Sequence, residues 1–201
     1  MTSNLTIRPY VEADFQQLSI VYLSAFAEPP WDEYMKCIKC GINYGIKEVE
    51  RKESSCKKCS SKLKLEYFWS PEEIKKDLDF ALSKSSNIIL VADMGGELIG
   101  TVWGYEIPLD KFPFLRGIAK EKANYMDEIA VKGNWRMRGL GTSLGTEYLE
   151  QLARKNIPEV ILRTDERNTA SMGLFCKLGF ENTGIRDPQF DWRVYLRRAI
   201  S

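Results

Sequence analysis

The chain reads as a mixed α/β domain, a central sheet covered by helices on both sides, and three observations predict it. Short apolar runs bounded by Gly, Pro and polar turns recur as strands. Segments with apolar residues at three- and four-residue spacing recur between them as helices. Their order is strand, helix, helix, strand, strand, strand, helix, strand, helix, strand, strand, interrupted once by a cysteine-bearing insert between the first two helices.

Leu5-Thr6-Ile7-Arg8-Pro9 alternates as a short strand that Pro9 closes. Asp14, Phe15, Leu18, Val21, Tyr22, Ala25 and Phe26 mark an amphipathic helix that ends before Pro29-Pro30. Ala27 to Trp31 is a loop with an aromatic plug. After the insert, Ser70-Pro71-Glu72-Glu73 opens a helix, with Ser as N-cap, Pro at the first position and acids in the first turn. That helix runs to about Ser83 and carries Ile74, Leu78 and Leu82 on one face. Asn87–Asp93 and Glu97–Ile107 are strands joined through Met94-Gly95-Gly96. A Pro- and Phe-bearing stretch leads to the strand beginning near Tyr125. Glu159–Thr164 is a buried strand, Asn168–Leu178 a helix closed by Gly179-Phe180, and two last strands lie near Glu181–Ile185 and Phe190–Leu196.

Composition narrows the functions open to this domain. With 201 residues, 44% of them apolar, one core is expected, or one core with a small insert. The 29 basic and 28 acidic residues leave a net charge of +1, so no bulk field marks a nucleic-acid or membrane partner. No apolar run approaches a membrane span, and the N-terminal residues lack a signal peptide's pattern, so a cytoplasmic protein is expected. Histidine is absent. Ser-His and Cys-His nucleophile pairs and His-ligated metals are thereby excluded. A general base must be a carboxylate, tyrosine, cysteine, amine or relayed water.

From about Met35 to Lys64 the composition shifts to Lys, Ser, Gly and Cys. Cys37-x-x-Cys40 and Cys56-x-x-Cys59 are separated by fifteen residues. Each pair presents two thiolates to one ion, and the two pairs complete a tetrahedral zinc site. Gly41 and Ser60-Ser61, which follow the pairs, suit tight knuckle turns. Two disulfides would require an oxidising compartment, and a redox Cys-x-x-Cys would leave one pair idle. Four cysteine ligands leave no open position, so Cys37, Cys40, Cys56 and Cys59 are expected to hold a structural zinc in a ribbon over residues 35–66. Lys36, Lys39, Lys57, Lys58, Lys62 and Lys64 surround it. Glu48, Glu50 and Glu53 dilute that charge, and a solvated face is the reading preferred.

The stretch YMDEIAVKGNWRMRGLGTSLG, Tyr125 to Gly145, is a strand, a polar turn and a helix start. Leu140, Leu144, Tyr148, Leu149 and Leu152 give that helix its buried face. Gly139 and Gly141 leave the first helical N–H groups approachable, and Arg136 and Arg138 add charge, a setting for phosphate. Neither G-x-G-x-x-G nor G-K-[ST] is present. Arg136-x-x-Gly139-x-Gly141 after a strand resembles the acetyl-CoA loop of the GNAT acetyltransferase superfamily. Asn168 to Phe180, NTASMGLFCKLGF, is similar to a second signature of that family. The resemblance covers nearly the whole chain outside the insert, taking 1–201 as one such domain.

The resemblance implies acetyl transfer from acetyl-CoA to an amine by direct attack in a ternary complex. It implies that the backbone of Ile129, Ala130 and Val131 binds the pantetheine arm like an added strand, with the N–H near Val131 polarising the thioester carbonyl. Arg136, Met137, Arg138, Gly139, Leu140, Gly141 and Thr142 would hold the pyrophosphate, and Asn168 would contact the pantetheine. The attacking ammonium must lose a proton first. Glu128, opposite Ile129 by strand alternation, is the first choice of base, directly or through water. Asp127 is the second, because a bulge common in this strand of the family would swap the faces. Where the family often has a proton-donating Tyr, this chain has Phe175; its neighbour Cys176 is read as a small buried residue.

Acceptors of this kind are small-molecule amines or protein amines, with no membrane partner; the near-neutral charge argues against nucleic acid, and a homodimer stays open. The insert borders the acceptor cleft in this fold, so Trp31, Tyr34, Tyr67, Phe68 and Trp69 either line its rim or seal the ribbon to the domain. A rival reading is a binding module that keeps acetyl-CoA as an effector while its ribbon docks protein or nucleic acid.

Overall fold

The computed structural model describes residues 5–26, 34–45, 55–66, 69–188 and 190–200. In chain order its elements are β1 (Leu5–Pro9), α1 (Phe15–Ala25), β2 (Tyr34–Cys37), β3 (Asn43–Gly45), β4 (Leu63–Glu66), α2 (Pro71–Leu82), β5 (Ile88–Met94), β6 (Glu97–Glu106), β7 (Asn124–Val131), α3 (Leu140–Arg154), β8 (Glu159–Asp165), α4 (Thr169–Lys177), β9 (Glu181–Arg186) and β10 (Arg193–Ala199). Seven strands form one sheet in the order β1-β5-β6-β7-β8-β10-β9. All neighbours are antiparallel except β7 and β8, which α3 joins as a crossover, so the sheet is mixed as expected.

Two cores cover the two faces. Leu18, Val21 and Tyr22 of α1 and Ile74 and Leu78 of α2 pack on Trp103, Tyr105 and Tyr125. Leu144, Tyr148 and Leu152 of α3 join Phe175 of α4 and Leu178 just after it, over Val102, Met126 and Leu162. The helix caps follow local chemistry. Ser70 Oγ accepts from the Glu73 N–H at 3.2 Å, and the Ser70 N–H donates to Glu73 Oε2 at 2.8 Å, a reciprocal capping box. Along α2, Ala81 completes the buried stripe in place of the expected Leu82, which is 41% exposed. The reason is rotational: Ile74, Leu78 and Ala81 keep the i, i+4, i+7 face, and Leu82 lies one step, about 100°, beyond it.

The β5–β6 hairpin turns on Gly95 and Gly96, both at positive φ (64° and 94°), the two-residue turn whose twist suits the strands. Strand β10 starts later than the expected Phe190 because Phe190 and Trp192 pack on each other, ring centroids 5.5 Å apart, in the turn before it. The insert forms a separate three-stranded sheet, β3-β2-β4, between α1 and α2. Trp31, Tyr67 and Phe68 lie outside the described residues. Among the described residues no helix is long and apolar enough to cross a membrane.

One irregularity positions the site. Trp103 pairs with Glu128 and Gly104 with Met126, so Asp127 is an extra residue in β7, a β-bulge. Tyr125 and Ala130 pack on the α1/α2 side, while Met126, Ile129 and Val131 pack on the α3/α4 side. Regular alternation would send Asp127 and Glu128 to opposite faces. The bulge resets the count and turns both carboxylates to the α1/α2 face.

Gly104 makes room for the bulge. A Cβ there would lie 2.2 Å from the Tyr125 carbonyl oxygen and 2.9 Å from Met126 Cα, backbone atoms that cannot swing aside. Gly104→Ala is therefore expected to destabilise by about 1–3 kcal/mol, as overpacking does. In a thermal melt that is a fall of roughly 2–12 °C for a domain of this size.

Candidate functional site

Asp127 and Glu128 line one cavity of about 280 Å³, with Phe26, Trp69 and Tyr125 among its walls on the α1/α2 side. Burial pushes the Asp127 carboxyl up to about 6, with the Asp77 charge adding to it; the Tyr105 hydroxyl, which donates to Asp127 Oδ2 at 3.0 Å, and Arg163 pull the other way. Burial and then the neighbouring Asp127 charge hold Glu128 well above the usual carboxylate range. The buried Tyr22 hydroxyl lies beside Glu128 and the buried Trp103 indole N–H beside Asp127, and each favours the ionised carboxylate there. The site thus holds two acids whose proton affinities lie above an ordinary carboxylate's, as groups poised for proton transfer often do.

The cavity continues through the sheet. Parallel pairing of β7 with β8 stops after Asn124↔Val160, Tyr125↔Ile161 and Met126↔Leu162, so from the bulge onward the two strands part. Lys132 donates its N–H to Ile99 of β6, so by strand alternation the N–H groups of Val131 and Ile129 face the open seam, and Ala130 faces β6. On the α3/α4 side the walls include Met126, Ile129, Leu162, Asn168, Ser171 and Phe175.

Beyond β7 the chain enters α3 through a strained loop. Met137 holds φ 60° and Gly139 φ 83°, both left-handed. For a non-glycine residue that is uncommon, and the Met137 side chain is 97% exposed, so packing does not demand it. None of the backbone N–H groups from Met137 through Thr142 donates to another group among the described residues. They form a run of open donors at a helix N-terminus, a nest for an anion. A Cβ on Gly139 would meet nothing within 4 Å, so glycine serves its conformation; on Gly141 it would press Leu174 at 3.3 Å. Leu140 is buried and begins the core face of α3. Arg138 stacks over Trp135 at 5.0 Å. The Arg136 side chain turns inward: Nε donates to the Val131 carbonyl at 3.4 Å and Nη2 to the Ala25 carbonyl, tying α1 to the end of β7.

Asn168 caps α4, its Oδ1 accepting from the Ser171 N–H at 3.1 Å, and it also lines the cavity. Phe175 is buried edge-on against Phe180, with Ser171 one turn before it on the same helix face. Cys176 is exposed, contrary to the buried placement expected for it, because α4 turns that position outward from Phe175.

The four cysteines of the insert come together. Cys37 and Cys59 Sγ are 3.4 Å apart and Cys40 and Cys56 Sγ 3.6 Å apart, with all four sulfurs within 4.8 Å of one another. A disulfide needs about 2.05 Å. Around one zinc with bonds near 2.3 Å, tetrahedral sulfurs would lie about 3.8 Å apart, so the cluster fits a single ion. The two knuckles repeat one geometry. Gly41 donates to the Cys37 carbonyl at 3.0 Å and Ser60 to the Cys56 carbonyl at 2.8 Å, both at positive φ. The N–H groups of Cys40 and Lys39 aim at Cys37 Sγ at 3.4 Å each and pull that thiol towards thiolate.

Residue patterns singled out Asp127, Glu128, the loop and the cysteines, and missed Tyr105, Arg163 and Arg193 in the same site. A charge interrupting an apolar strand, Arg163 in EVILRT and Arg193 before VYL, was the available signal.

Comparison with known proteins agrees with this fold. A family model described as the acetyltransferase (GNAT) family matches residues 50–180. An N-acetyltransferase from Staphylococcus aureus Mu50 superposes with a TM-score of 0.63 at 14% identity, covering 99% of this chain and 100% of that one. The PaiA N-acetyltransferase of Thermoplasma acidophilum, in complex with coenzyme A, gives 0.63 at 14% identity, covering 98% and 99%. YncA of Salmonella typhimurium, with its cofactor acetyl-CoA, gives 0.60 at 15% identity, covering 99% and 95%.

Proposed function

Because the chain belongs to the GNAT acetyltransferase family, we propose that it transfers an acetyl group from acetyl-CoA to a primary amine by direct attack while both are bound. The observation that carries this reading is the carboxylate pair at the point where β7 and β8 part. A donor threaded into that seam would meet the Ile129 and Val131 N–H groups, the latter suited to a developing oxyanion. The open N–H run from Met137 to Thr142 suits the pyrophosphate, and the Asn168 amide group suits the pantetheine. Arg136 supports the loop from behind, since its fork is bound to carbonyls.

Acetyl-CoA supplies an activated acetyl carbon. Glu128, with Asp127 beside it, takes a proton from the acceptor's ammonium, directly or through water. The freed amine forms the C–N bond, the C–S bond breaks, and the thiolate takes a proton from water. With Phe175 on the cavity wall no side-chain acid is needed, because a thiol of this class ionises about 1–2 units above neutrality. We further assign residues 35–66 as a zinc-ribbon insert within a transferase domain spanning 1–201, with zinc on Cys37, Cys40, Cys56 and Cys59.

Coenzyme A release from acetyl-CoA across a panel of amines tests the reading. Turnover that needs an amine supports it; tight acetyl-CoA binding without turnover on any amine supports an effector-binding module instead. Gly139→Ala tests the loop. Forcing a Cβ into left-handed backbone costs about 1–2 kcal/mol. The free loop is expected to relax away from that strain, so the cost falls on binding: coenzyme A affinity, measured by calorimetry, should weaken roughly 5- to 30-fold with the thermal midpoint little changed.

A further inference from the structure

The face that carries the two carboxylates also carries two arginines. In the β8–β10 pairing Arg163 lies opposite Tyr195 and Asp165 opposite Arg193, so Arg163 and Arg193 are diagonal neighbours. Tyr195 packs in the α1/α2 core, and strand alternation puts both arginines on its side of the sheet. Both line the same cavity as Asp127 and Glu128. Arg163 is held in place: its Nη1 donates to Asp187 Oδ2 at 2.7 Å, and buried Asp187 is itself fixed by the Phe190 N–H at 3.2 Å. That bond uses one of the five N–H donors of a guanidinium. Arg193 stacks over Phe190, 4.4 Å from the ring centroid.

Two neighbouring guanidinium groups, with Asp187 paired to Arg163 and the cavity-lining Asp165 paired to Arg167, leave this wall one positive charge in excess among the described residues, a poor wall for an acceptor that is only cationic. They repel an ammonium that the carboxylates attract, and the repulsion is strongest for a polyamine. They suit an acceptor that brings an anion of its own, because a planar fork matches a carboxylate. At about 280 Å³ the cavity is at the small end for ligand sites, a fit for a small acceptor or for the reacting end of a larger one. We infer that the acceptor is a small zwitterion of the amino-acid type, its ammonium at Asp127 and Glu128 and its carboxylate at Arg163 and Arg193. This inference rests on the transferase reading above.

The test is coenzyme A release with matched acceptors: lysine against cadaverine, glutamate against 4-aminobutyrate and butylamine, and an aminoalkyl phosphonate to separate carboxylate from phosphorus oxyanions. Carboxylate-bearing acceptors are expected to exceed the bare amines at least tenfold in kcat/KM. Arg193→Gln is expected to raise KM for the preferred amino acid tenfold or more. KM for acetyl-CoA should stay within twofold and KM for the bare amine should stay level or fall, and Arg193→Lys should recover part of the loss. Arg163→Gln serves as a second variant, read beside a melting curve because it also releases Asp187. Bare amines that match or surpass the amino acids, or Arg193→Gln acting equally on both, would overturn the inference while leaving the transferase intact. A phosphonate preferred over every carboxylate would also overturn it. No turnover with any acceptor, with acetyl-CoA still bound, removes the transferase reading and this inference with it.

Discussion

Glu128→Gln is expected to lower kcat by roughly a hundred- to ten-thousandfold, the usual contribution of a positioned base, while KM for acetyl-CoA stays within about twofold. The reason is geometric first: the bulge at Asp127 aims Glu128 into the cavity beside Asp127. It is electrostatic second. Both carboxyls are held above their ordinary range, and a base works only when unprotonated, so kcat/KM rises with pH through the pair's titration. Asp127 ionises first, near pH 6, and its charge drives Glu128 higher. The parent's acid limb should therefore fall above pH 6. Asp127→Asn removes that charge and should shift the limb to lower pH, with a smaller loss of rate. Any activity left in Glu128→Gln should show a limb near pH 6, from Asp127 alone. Full activity in Glu128→Gln with a dead Asp127→Asn would exchange the two roles. pH–rate profiles of the three proteins decide between these outcomes.

Removing the proposed zinc is the second large perturbation. A structural zinc held by four cysteines contributes about 10–16 kcal/mol of apparent binding energy near pH 7, and it is what folds a segment this small. The insert's buried cluster amounts to Cys37, Cys56 and Leu63, with Ile42 and Cys59 packed against it. Metal analysis is expected to find one zinc per chain, and none in Cys37→Ser/Cys56→Ser. Hydrogen exchange in that variant should lose protection across β2, β3 and β4 only. The seven-stranded sheet should keep its protection, since its two cores contain none of these residues. Trp69 carries the consequence onward: it follows the insert, lines the cavity and stands edge-on to Tyr22 at 5.7 Å. Acceptor KM should rise several-fold in the variant, with coenzyme A affinity unchanged. Loss of coenzyme A binding instead would make the ribbon part of the whole domain's stability. Replacing residues 36–64 by a short linker makes the same comparison without the metal, and an unchanged acceptor preference there would separate the ribbon from the acceptor site.

Much of this molecule was legible in its residues because the relevant chemistry is local. Two Cys-x-x-Cys knuckles announce a four-sulfur cluster through short-range turns that Gly41 and Ser60 complete. Arg136-x-x-Gly139-x-Gly141 announces open N–H groups because a helix start always has them. Ser70 to Glu73 announces a cap, and alternating apolar runs announce the mixed sheet. The face that carries the two carboxylates was not legible in this way. Alternation read along β7 alone separates Asp127 from Glu128, and only pairing with β6 inserts the extra residue that brings them together. The space for that bulge comes from Gly104, more than twenty residues away in the chain. The arginines opposite are likewise set by the β8–β10 register. Turns and caps depend on neighbours along the chain, so the sequence by itself determined the cysteine knuckles, the open N–H loop and the fold class. Strand register and the parting of β7 from β8 depend on contacts distant in sequence, so the tertiary structure alone decided which charges face the same cavity.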